Sequence, residues 1–254
     1  MRQWHLTGVV VWAAVAVGGV LLAAAHPISA ADTVVGIDAD PAGNSATTLG
    51  PADSCVAVAS GDTFEIDIYI KDVQDLLAWS VYLETDGAIV RVVDRDVDQF
   101  LASASGSDVF DGSLQTPDDD GLYPLAAVDT ADPPAPEGGS GVLARVTLEA
   151  LGPGVSPLRL AHNDIDGDDK VDQGTLLQNT DAQNIGDDDG DTFYDGDVDE
   201  ARVAVDSACG AATSNDDDDG GGGRWIIVAI AVGIAALMVI VQGALVIRRR
   251  RSRA

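Results

Sequence analysis

The chain has 254 residues, of which 46% are hydrophobic, and this is enough for one domain of good size with additional segments. Its formal charge at pH 7 is −28, and all 42 acidic residues lie between residues 32 and 223, where seven bases accompany them and the net charge is −35. Such a field repels nucleic acid and anionic lipid, so we expect no nucleic-acid partner and instead a cation or a basic protein. The alternative is an acidic surface that only keeps an extracellular or halophilic protein soluble.

The first 31 residues are typical of a secretory signal peptide. Arg2 precedes an apolar run over residues 9–25, and small residues at positions 29–31 offer a cleavage site. The run is short for a membrane span and is followed by Pro27. We therefore expect export and removal of residues 1–31, and a retained N-terminal anchor is the alternative.

The clearest strand pattern lies in residues 62–86, where apolar and polar residues alternate in two successive runs. The apolar positions are Phe64, Ile66, Ile68 and Ile70 in the first run and Trp79, Val81 and Leu83 in the second. A period of two places one face of a strand in a core and the other face in water. Two half-buried strands need a second sheet to cover them, so we predict an all-β sandwich.

Further strands are predicted along the chain, separated by segments rich in Gly, Pro, Asn and Asp. In chain order they cover residues 33–40, 55–60, 89–93, 122–128, 144–150, 157–161 and 201–205. Residues 41–53 and 112–121 are expected to be loop and turn. Residues 95–102 are expected to form one or two helical turns, and residues 132–141 no regular structure.

A succession of motifs accompanies these strands. Gly61-Asp62-Thr63 opens one strand, and Asp72-Val73 leads through Leu77-Ala78-Trp79 into the next. The sequence Gly-x-Leu-Ala-x-Val-x-Leu-x-Ala-x-Gly, followed by Leu-x-Leu, then occupies residues 141–160. Together these motifs make residues 55–205 similar to the cohesin domain.

The resemblance implies a jelly-roll β-sandwich of about nine strands, related to some carbohydrate-binding modules. In bacterial cellulosomes, cohesins dock the dockerin domains of polysaccharide-degrading enzymes. The resemblance therefore implies a protein partner of the dockerin kind, and it assigns no individual binding residue.

Two acidic loops, 23 residues apart, expand the connection before the last strand, residues 161–199. Both follow the template Asp-x-Asp-Gly-Asp-x-x-x-Asp, whose carboxylates can converge on one hard cation such as Ca²⁺. The predicted metal ligands are Asp164, Asp166, Asp168 and Asp172 in the first loop and Asp187, Asp189, Asp191 and Asp195 in the second. The alternative is a solvated loop, because neither copy has the glycine at position six or the acid at position twelve of an EF-type loop.

Cys55 and Cys209 are the two cysteines of the chain, and both belong to the predicted exported region, which favours a disulfide. If the strands that begin at Cys55 and end near Val205 run parallel, as in cohesins, the cysteines lie at opposite ends. A five-residue strand is about 16 Å long, whereas bridged Cα atoms lie within about 7 Å. The bridge therefore requires either that residues 206–209 fold back or that this edge pairs differently.

The C-terminal part is predicted to be a tether. Residues 211–224 form an Asp/Gly-rich linker, and residues 225–247 are 23 residues without a charge, about 34 Å long as a helix and able to cross a bilayer. Residues 248–254 are a basic tail, which the positive-inside rule places in the cytoplasm. We expect a single-pass protein of the cell membrane with residues 32–210 outside the cell, and a processed sorting signal is the alternative.

The sequence offers no catalytic constellation. The mature chain has one histidine, His162, without a nucleophile signature around it, so we predict that the protein is not an enzyme. The leading function is a cell-surface binding module that docks a dockerin-like protein partner and is linked to polysaccharide degradation. The alternatives are direct carbohydrate binding, for which Tyr69, Tyr82 and Tyr123 would form an aromatic strip, and a purely structural role in the cell envelope or in adhesion. Ordinary packing at the surface or in the core is the favoured role for each of these three rings.

Overall fold

The structure, a computed structural model, describes residues 33–164 and 171–210. These two ranges form eleven strands and contain no helix. The strands are β1 (Val34–Asp38), β2 (Cys55–Val58), β3 (Thr63–Glu84), β4 (Val90–Asp96), β5 (Val109–Asp111), β6 (Leu122–Asp129), β7 (Glu137–Ala150), β8 (Gly154–Leu160), β9 (Leu176–Asn179), β10 (Val198–Asp199) and β11 (Ala201–Val205).

The predicted terminal segments lie outside the described residues. They are the signal peptide at 1–31, the linker at 211–224, the membrane span at 225–247 and the basic tail at 248–254. Across residues 33–164 and 171–210, no helix has the length and hydrophobicity that a membrane crossing needs.

β3 belongs to both layers of the sandwich. Its first half pairs antiparallel with β1 and β7, and its second half pairs with β6 on one side and with β9 and β8 on the other. The register shifts after Ile70 and again after Val73, and Asp72 and Asp75 have positive φ angles of 56° and 59°. Aspartate tolerates this left-handed region better than most residues, so the strand bends here from one sheet into the other. The two strands predicted for this stretch are therefore one.

The two layers bury a common apolar core. The first sheet has the order β10, β1, β3, β7, β4, and the second runs from β5 through β6 to β3 and continues through β8 and β11 to β2. The inward residues of both halves of β3, including Ile68 and Val81, belong to one buried cluster. The predicted all-β sandwich is confirmed, with eleven strands in the described residues where the resemblance implied about nine.

The middle of the outer face of β3 in the first sheet, at Asp67 and Tyr69, is buried, although the alternating pattern predicted that it meets water. Asp67 is 0% exposed, and Arg145 on β7 donates to its two carboxylate oxygens at 2.8 and 2.9 Å. The side-chain amide of Asn44 donates to Asp67 at 3.1 Å and to the buried Asp38 at 2.8 Å. Tyr69 donates from its hydroxyl to Asp199 on β10 at 2.5 Å. A loop and an extra strand therefore cover this face.

β1 and β2 are two parts of one interrupted strand, the first part in the first sheet and the second part in the second. β10 runs parallel to β1, with Val35 facing Val198, and β11 runs parallel to β2, with Cys55 facing Arg202. Because β10 and β11 follow one another almost directly, residues 39–54 are an excursion between two strands whose partners are nearly continuous.

The excursion packs closely on β7. A side chain at Gly141 would collide with the carbonyl oxygen of Ala46, which lies 2.0 Å from the position of a Cβ atom. Glycine is therefore required where the excursion crosses the sheet. Asn44 accepts from the Gly50 amide at 2.7 Å and so fixes the far side of the same excursion.

The helical turns predicted for residues 95–102 are not formed. β4 continues to Asp96, and the chain then bends so that three apolar side chains enter the core. These are Val97, Phe100 and Leu101. The backbone N–H of Phe100 donates to the Val142 carbonyl at 2.8 Å. This segment is therefore fixed by a hydrogen bond to β7 and not by hydrogen bonds within a helix.

Three segments contain strands that the sequence did not predict, and the first of them is β5 at Val109–Asp111. β7 begins at Glu137, inside the segment 132–141 for which no regular structure was expected. The expanded connection, residues 161–199, contains β9 and β10. β9 and β10 have four and two residues, which leaves too few positions for a periodic pattern.

We predict that Arg145→Met destabilises the protein by about 3–5 kcal/mol, because it leaves the charge of Asp67 buried without its partner. The matched control is Arg159→Met, whose pair with Glu200 is half exposed and contributes less than about 1 kcal/mol. Urea unfolding of the full chain measures both changes. Equal, small effects for the two variants would contradict the buried position of Asp67.

Candidate functional site

Three of the four predicted ligands in the second acidic loop lie together. Carboxylate oxygens of Asp187, Asp189 and Asp195 all lie within 4.8 Å of one another. Asp191 is not part of this group, and its carboxylate accepts from the Phe193 amide at 2.8 Å. The loop therefore offers three converging carboxylates. A Ca²⁺ ion takes six to eight oxygen ligands, so these carboxylates would supply part of its coordination shell.

Backbone amides fold the second loop around its own carboxylates. Asp187 accepts from the amides of Gly190 and Thr192 at 2.7 and 3.2 Å, and Asp195 accepts from those of Asp188 and Asp189 at 2.7 and 3.3 Å. Gly190 has a φ of 87°, a region in which glycine is unstrained, so its place in the template is a conformational requirement.

The second loop is anchored to the sandwich by Tyr194. This side chain is buried, its hydroxyl donates to the carbonyl of Thr33, and its backbone N–H donates to Thr175 at 2.8 Å. Burial, with a contribution from the charge of Asp197, raises the pKa of Tyr194 to about 12. The phenol therefore remains a donor at neutral pH and ties the loop to the start of β1.

The first acidic loop is described only at its two ends. Asp166 and Asp168 lie outside the described residues, and Asp164 and Asp172 are exposed. The backbone N–H of Asp172 donates to Asn163 at 2.8 Å, which closes the base of this loop.

The predicted disulfide between Cys55 and Cys209 is present, and the chain folds back to make it. The Cα atoms lie 5.8 Å apart although β2 and β11 are parallel. Asp206 has a φ of 54° directly after β11, and the Arg202 guanidinium donates to the Cys209 carbonyl at 2.8 Å. Of the two solutions left open by the sequence, the fold-back of residues 206–209 is the correct one.

The proposed aromatic strip is wrong, because its members are buried. Tyr69, Tyr82 and Tyr123 have at most 8% of their surface exposed, and Trp79 has none. Tyr123 points into the core and donates to the Leu114 carbonyl at 2.6 Å. None of these rings can stack on a sugar from outside. His162 lies exposed in a loop.

The outward residues of the second sheet are small and largely covered, since Ala78, Ala126 and Val128 are 1%, 2% and 7% exposed. On β3 the residues that alternate with the core positions include Ala78 and Ser80, which face Val128 and Ala126 on β6. Phe110 on β5 faces Val128 and is 46% exposed. We call Phe110, Val128, Ala126, Ala78 and Ser80 the outer patch.

Sequence reasoning missed the outer patch. β5 has three residues, too few for an alternating pattern, so Phe110 was not assigned to any strand. Of the remaining members, Ser80 is polar and partly exposed, whereas Ala78, Ala126 and Val128 are apolar and buried at outward positions, where a solvated face usually has polar side chains. The apolar character of these three residues was the signal that this face is covered.

The bases of the described residues already have acceptors, which leaves the surface acidic. Five form ion pairs, and Arg202 binds the Cys209 carbonyl. The ion pairs are Lys71–Asp199, Arg91–Glu149, Arg95–Asp111, Arg145–Asp67 and Arg159–Glu200. A partner therefore meets a field that is strongly negative.

No protein-family model matches the chain, and no curated protein matches it. The solved structures that resemble it are cohesin domains. The β-rich fold of the chain is consistent with a cohesin β-sandwich.

Three of these cohesins illustrate the degree of similarity. The second type II cohesin module from the adaptor ScaA scaffoldin of Acetivibrio cellulolyticus has 13% identity, a TM-score of 0.46 and coverage of 72% of this chain and 94% of its own. The OlpC cohesin of a type I cohesin–dockerin complex from Clostridium thermocellum has 11% identity, a TM-score of 0.45 and coverage of 68% and 93%. A non-cellulosomal cohesin from the archaeon Archaeoglobus fulgidus has 12% identity, a TM-score of 0.43 and coverage of 70% and 93%.

We predict that the double substitution Cys55→Ala and Cys209→Ala lowers the free energy of unfolding by up to about 5 kcal/mol, because the bridge closes a loop of more than 100 residues. Thermal melting of the oxidised full chain beside this variant measures the loss. Reduction of the wild type should reproduce the lower midpoint and leave the variant unchanged. A midpoint that reduction does not move would contradict a stabilising bridge.

Proposed function

We propose that this chain is a non-catalytic, cohesin-like docking module that binds a protein partner at the cell surface. The exposed ring of Phe110 in the outer patch is the observation that carries this proposal. Phe110 is a large aromatic residue that is 46% exposed on the edge strand β5, where it faces the buried Val128 of β6. Aromatic residues of this kind are enriched at protein interfaces.

The exposed apolar side chains of the described residues favour a protein over a sugar. Phe110 is the one aromatic residue among the exposed large hydrophobic residues of the described ranges, and a single exposed ring suits an apolar contact in a protein interface. Carbohydrate platforms depend on exposed aromatic rings, and the rings first considered for that role are buried. A protein partner is therefore the better match.

The kind of partner follows from the resemblance of residues 55–205 to cohesins. We infer a dockerin-like domain, and through it a link to polysaccharide degradation. The motif at residues 141–160 forms most of β7, the following turn and β8, the elements that the resemblance requires there. A partner that presents basic side chains around an apolar centre fits the acidic surface of this domain.

We further propose that the domain is displayed outside the cell by the C-terminal segment. The predicted linker begins directly after the fold-back that Cys209 fixes to β2. The tether would then leave the domain beside the edge formed by β2 and β11, away from the strand β5 that holds Phe110. This arrangement leaves the exposed ring of Phe110 accessible to a partner.

We also propose that Ca²⁺ binds the second acidic loop. Asp187, Asp189 and Asp195 supply three carboxylates within one small volume, and bringing them together without a cation is unfavourable because they repel one another. The same template in the first loop supports a second ion there, with Asp164, Asp166, Asp168 and Asp172 as ligands.

We predict that Phe110→Ser abolishes capture of the partner while the fold is unchanged. Immobilised full-length wild type should retain dockerin-bearing proteins from the secretome of the source organism, identified by mass spectrometry. The matched control is Leu151→Ser, which removes another exposed apolar side chain (40% exposed) outside the outer patch and should capture normally. Retention of the same proteins by Phe110→Ser would place the docking surface elsewhere.

We predict that millimolar Ca²⁺ raises the melting midpoint of the full chain, because an ion bound only to the folded state stabilises it by mass action. Asp189→Asn should reduce the rise. Asp188→Asn is the matched control, since Asp188 lies in the same loop but not among the converging carboxylates. A melting curve that Ca²⁺ leaves unchanged would remove the metal site from the proposal.

A further inference from the structure

β2 ends the second sheet and has a neighbouring strand on one side only. It pairs with β11, and the sheet order of the described residues stops there. Arg202 on β11 donates to the Ser54 carbonyl at 3.0 Å, so the even-numbered positions of this segment face β11. The backbone N–H and C=O groups of Cys55 and Ala57 therefore point away from the sheet. We call these four groups the open edge.

β2 lacks the features that protect the other outer strands. A bare edge pairs readily with strands of other chains, and proteins usually prevent this with charged residues or proline. β4, β5 and β10 follow this rule, since they contain Asp96, Asp111 and Asp199. β2 has the sequence Cys-Val-Ala-Val, with neither a charge nor a proline. The exception indicates that this edge is available for a strand from outside the domain.

The inner side of β2 is incompletely covered as well. Val56 and Val58 pack against the core but stay partly exposed, whereas Val203 and Val205 on β11 are 0% and 1% exposed. A strand added at the open edge would cover the exposed part of Val56 and extend the apolar core. Both the backbone and the inward side chains of β2 therefore favour a further neighbouring strand.

The outward side of β2 holds the disulfide and the exit of the chain. Because Val56 and Val58 point inward, Cys55 points outward, and its partner Cys209 lies over the outer face of the sheet. The exposed Arg202 guanidinium donates to the Cys209 carbonyl at 2.8 Å on the same face. The fold-back therefore lies on the face of the sheet and not along the open edge.

We propose that two copies of this chain pair through the open edge, antiparallel and around a two-fold axis perpendicular to the second sheet. Cys55 of each copy would exchange two backbone hydrogen bonds with Ala57 of the other, and Val56 would face Val56 of the second copy. This register places the small side chain of Ala57 beside the disulfide at Cys55, which leaves room for the bridge. The interface is closed, because each copy contributes the same edge.

A second copy suits the open edge because of where the chain leaves the domain. A two-fold axis perpendicular to the sheet keeps the same face uppermost in both copies, so both C-terminal segments start on one side of the pair. If the C-terminal segment holds the domain at a membrane, as proposed above, both copies can reach the same membrane. Anchoring in one plane also raises the effective concentration, which the pairing of four-residue strands needs. The inference therefore rests on the proposed display and not on the proposed docking.

The charge of the domain opposes this pairing and gives it a characteristic salt dependence. Each copy has a net charge of −35 over residues 32–223, so two copies repel one another. Salt screens this repulsion, and the pairing should therefore strengthen as the salt concentration rises. Docking of a basic partner on the same acidic domain should weaken under these conditions. The two interactions can thus be told apart by the sign of the salt effect.

Hydrogen exchange of the full chain in lipid vesicles, resolved to single amides, tests this pairing. At high surface density of the protein, exchange of the Cys55 and Ala57 amides should be slower by about twofold or more than at low density, since exchange halves when half of the copies are paired. The amides of Val56 and Val58 face β11 at either density and should not change. Exchange at Cys55 and Ala57 that does not depend on density would overturn the proposal. A chain that stays out of the vesicles would remove the proposed display and, with it, the argument for a second copy.

Two variants at one position identify the strand that pairs. Ala57→Pro removes an N–H that β11 does not use, so the melting midpoint should be unchanged while the density effect at Cys55 disappears. Ala57→Asp keeps the N–H but brings two like charges close together across the pair, and it should weaken the effect. A density effect that persists in both variants would refute the role of β2.

The same variants separate this pairing from docking. Phe110→Ser, on the edge strand β5, should keep the density effect at Cys55, and Ala57→Pro should still capture dockerin-bearing proteins. Loss of the density effect in Phe110→Ser would assign the contact between copies to β5 and overturn the proposal. Protection of the open edge that appears only when the secretome is added would assign β2 to a different protein and would equally overturn it.

Discussion

The bend in β3 is the constraint on which the rest of the structure depends. One strand of 22 residues supplies the centre of the first sheet and then, beyond Asp72 and Asp75, the centre of the second. The two layers are therefore covalently continuous through a strand as well as packed face to face. Each remaining strand except β2, which pairs with β11, pairs with β3 or with a neighbour of β3. The position of the bend therefore sets the relative placement of the apolar cluster and of both outer faces.

The two outer faces differ because of what the chain places on them. On the first sheet, the excursion at residues 39–54 and the short strand β10 cover Asp67 and Tyr69, and an arginine and an amide satisfy the buried carboxylates. On the second sheet, the small outward residues Ala126 and Val128 are also buried, but Phe110 on the edge strand β5 is left half exposed. The six bases of the described residues already have acceptors, so an exposed aromatic ring rather than a cationic group is available for recognition. This contrast is the physical basis for expecting docking on the second sheet.

Much of the fold could be predicted from local patterns, and the exceptions have local causes. Alternation identified the strands around Ile68, Val81 and Val146, because each has one face in the core. The continuity of β3 could not be predicted, since the bend depends on two aspartates in the left-handed region and on partners far along the chain. The burial of Asp67 depends on Arg145, 78 residues away, which no period of two reveals.

The candidate site likewise combines features that local sequence patterns predict with features that they do not. The template of the second acidic loop placed three of its four carboxylates correctly, because a tight loop with Gly190 brings alternate positions together. The disulfide was predicted from the oxidising compartment and from the number of cysteines. Its geometry also requires that the chain reverses at Asp206, because the parallel strands alone would leave the two cysteines at opposite ends. Phe110 escaped notice because three residues are too few to show a pattern.

Native-state hydrogen exchange in rising denaturant tests the central role of β3 most directly. If the strand joins both sheets into one cooperative unit, the amides of Ile68 and Val81 should reach the same free energy of opening within about 1 kcal/mol. Exchange of one half at a free energy lower by more than about 2 kcal/mol would show that the two sheets open separately, and would contradict this account of the fold.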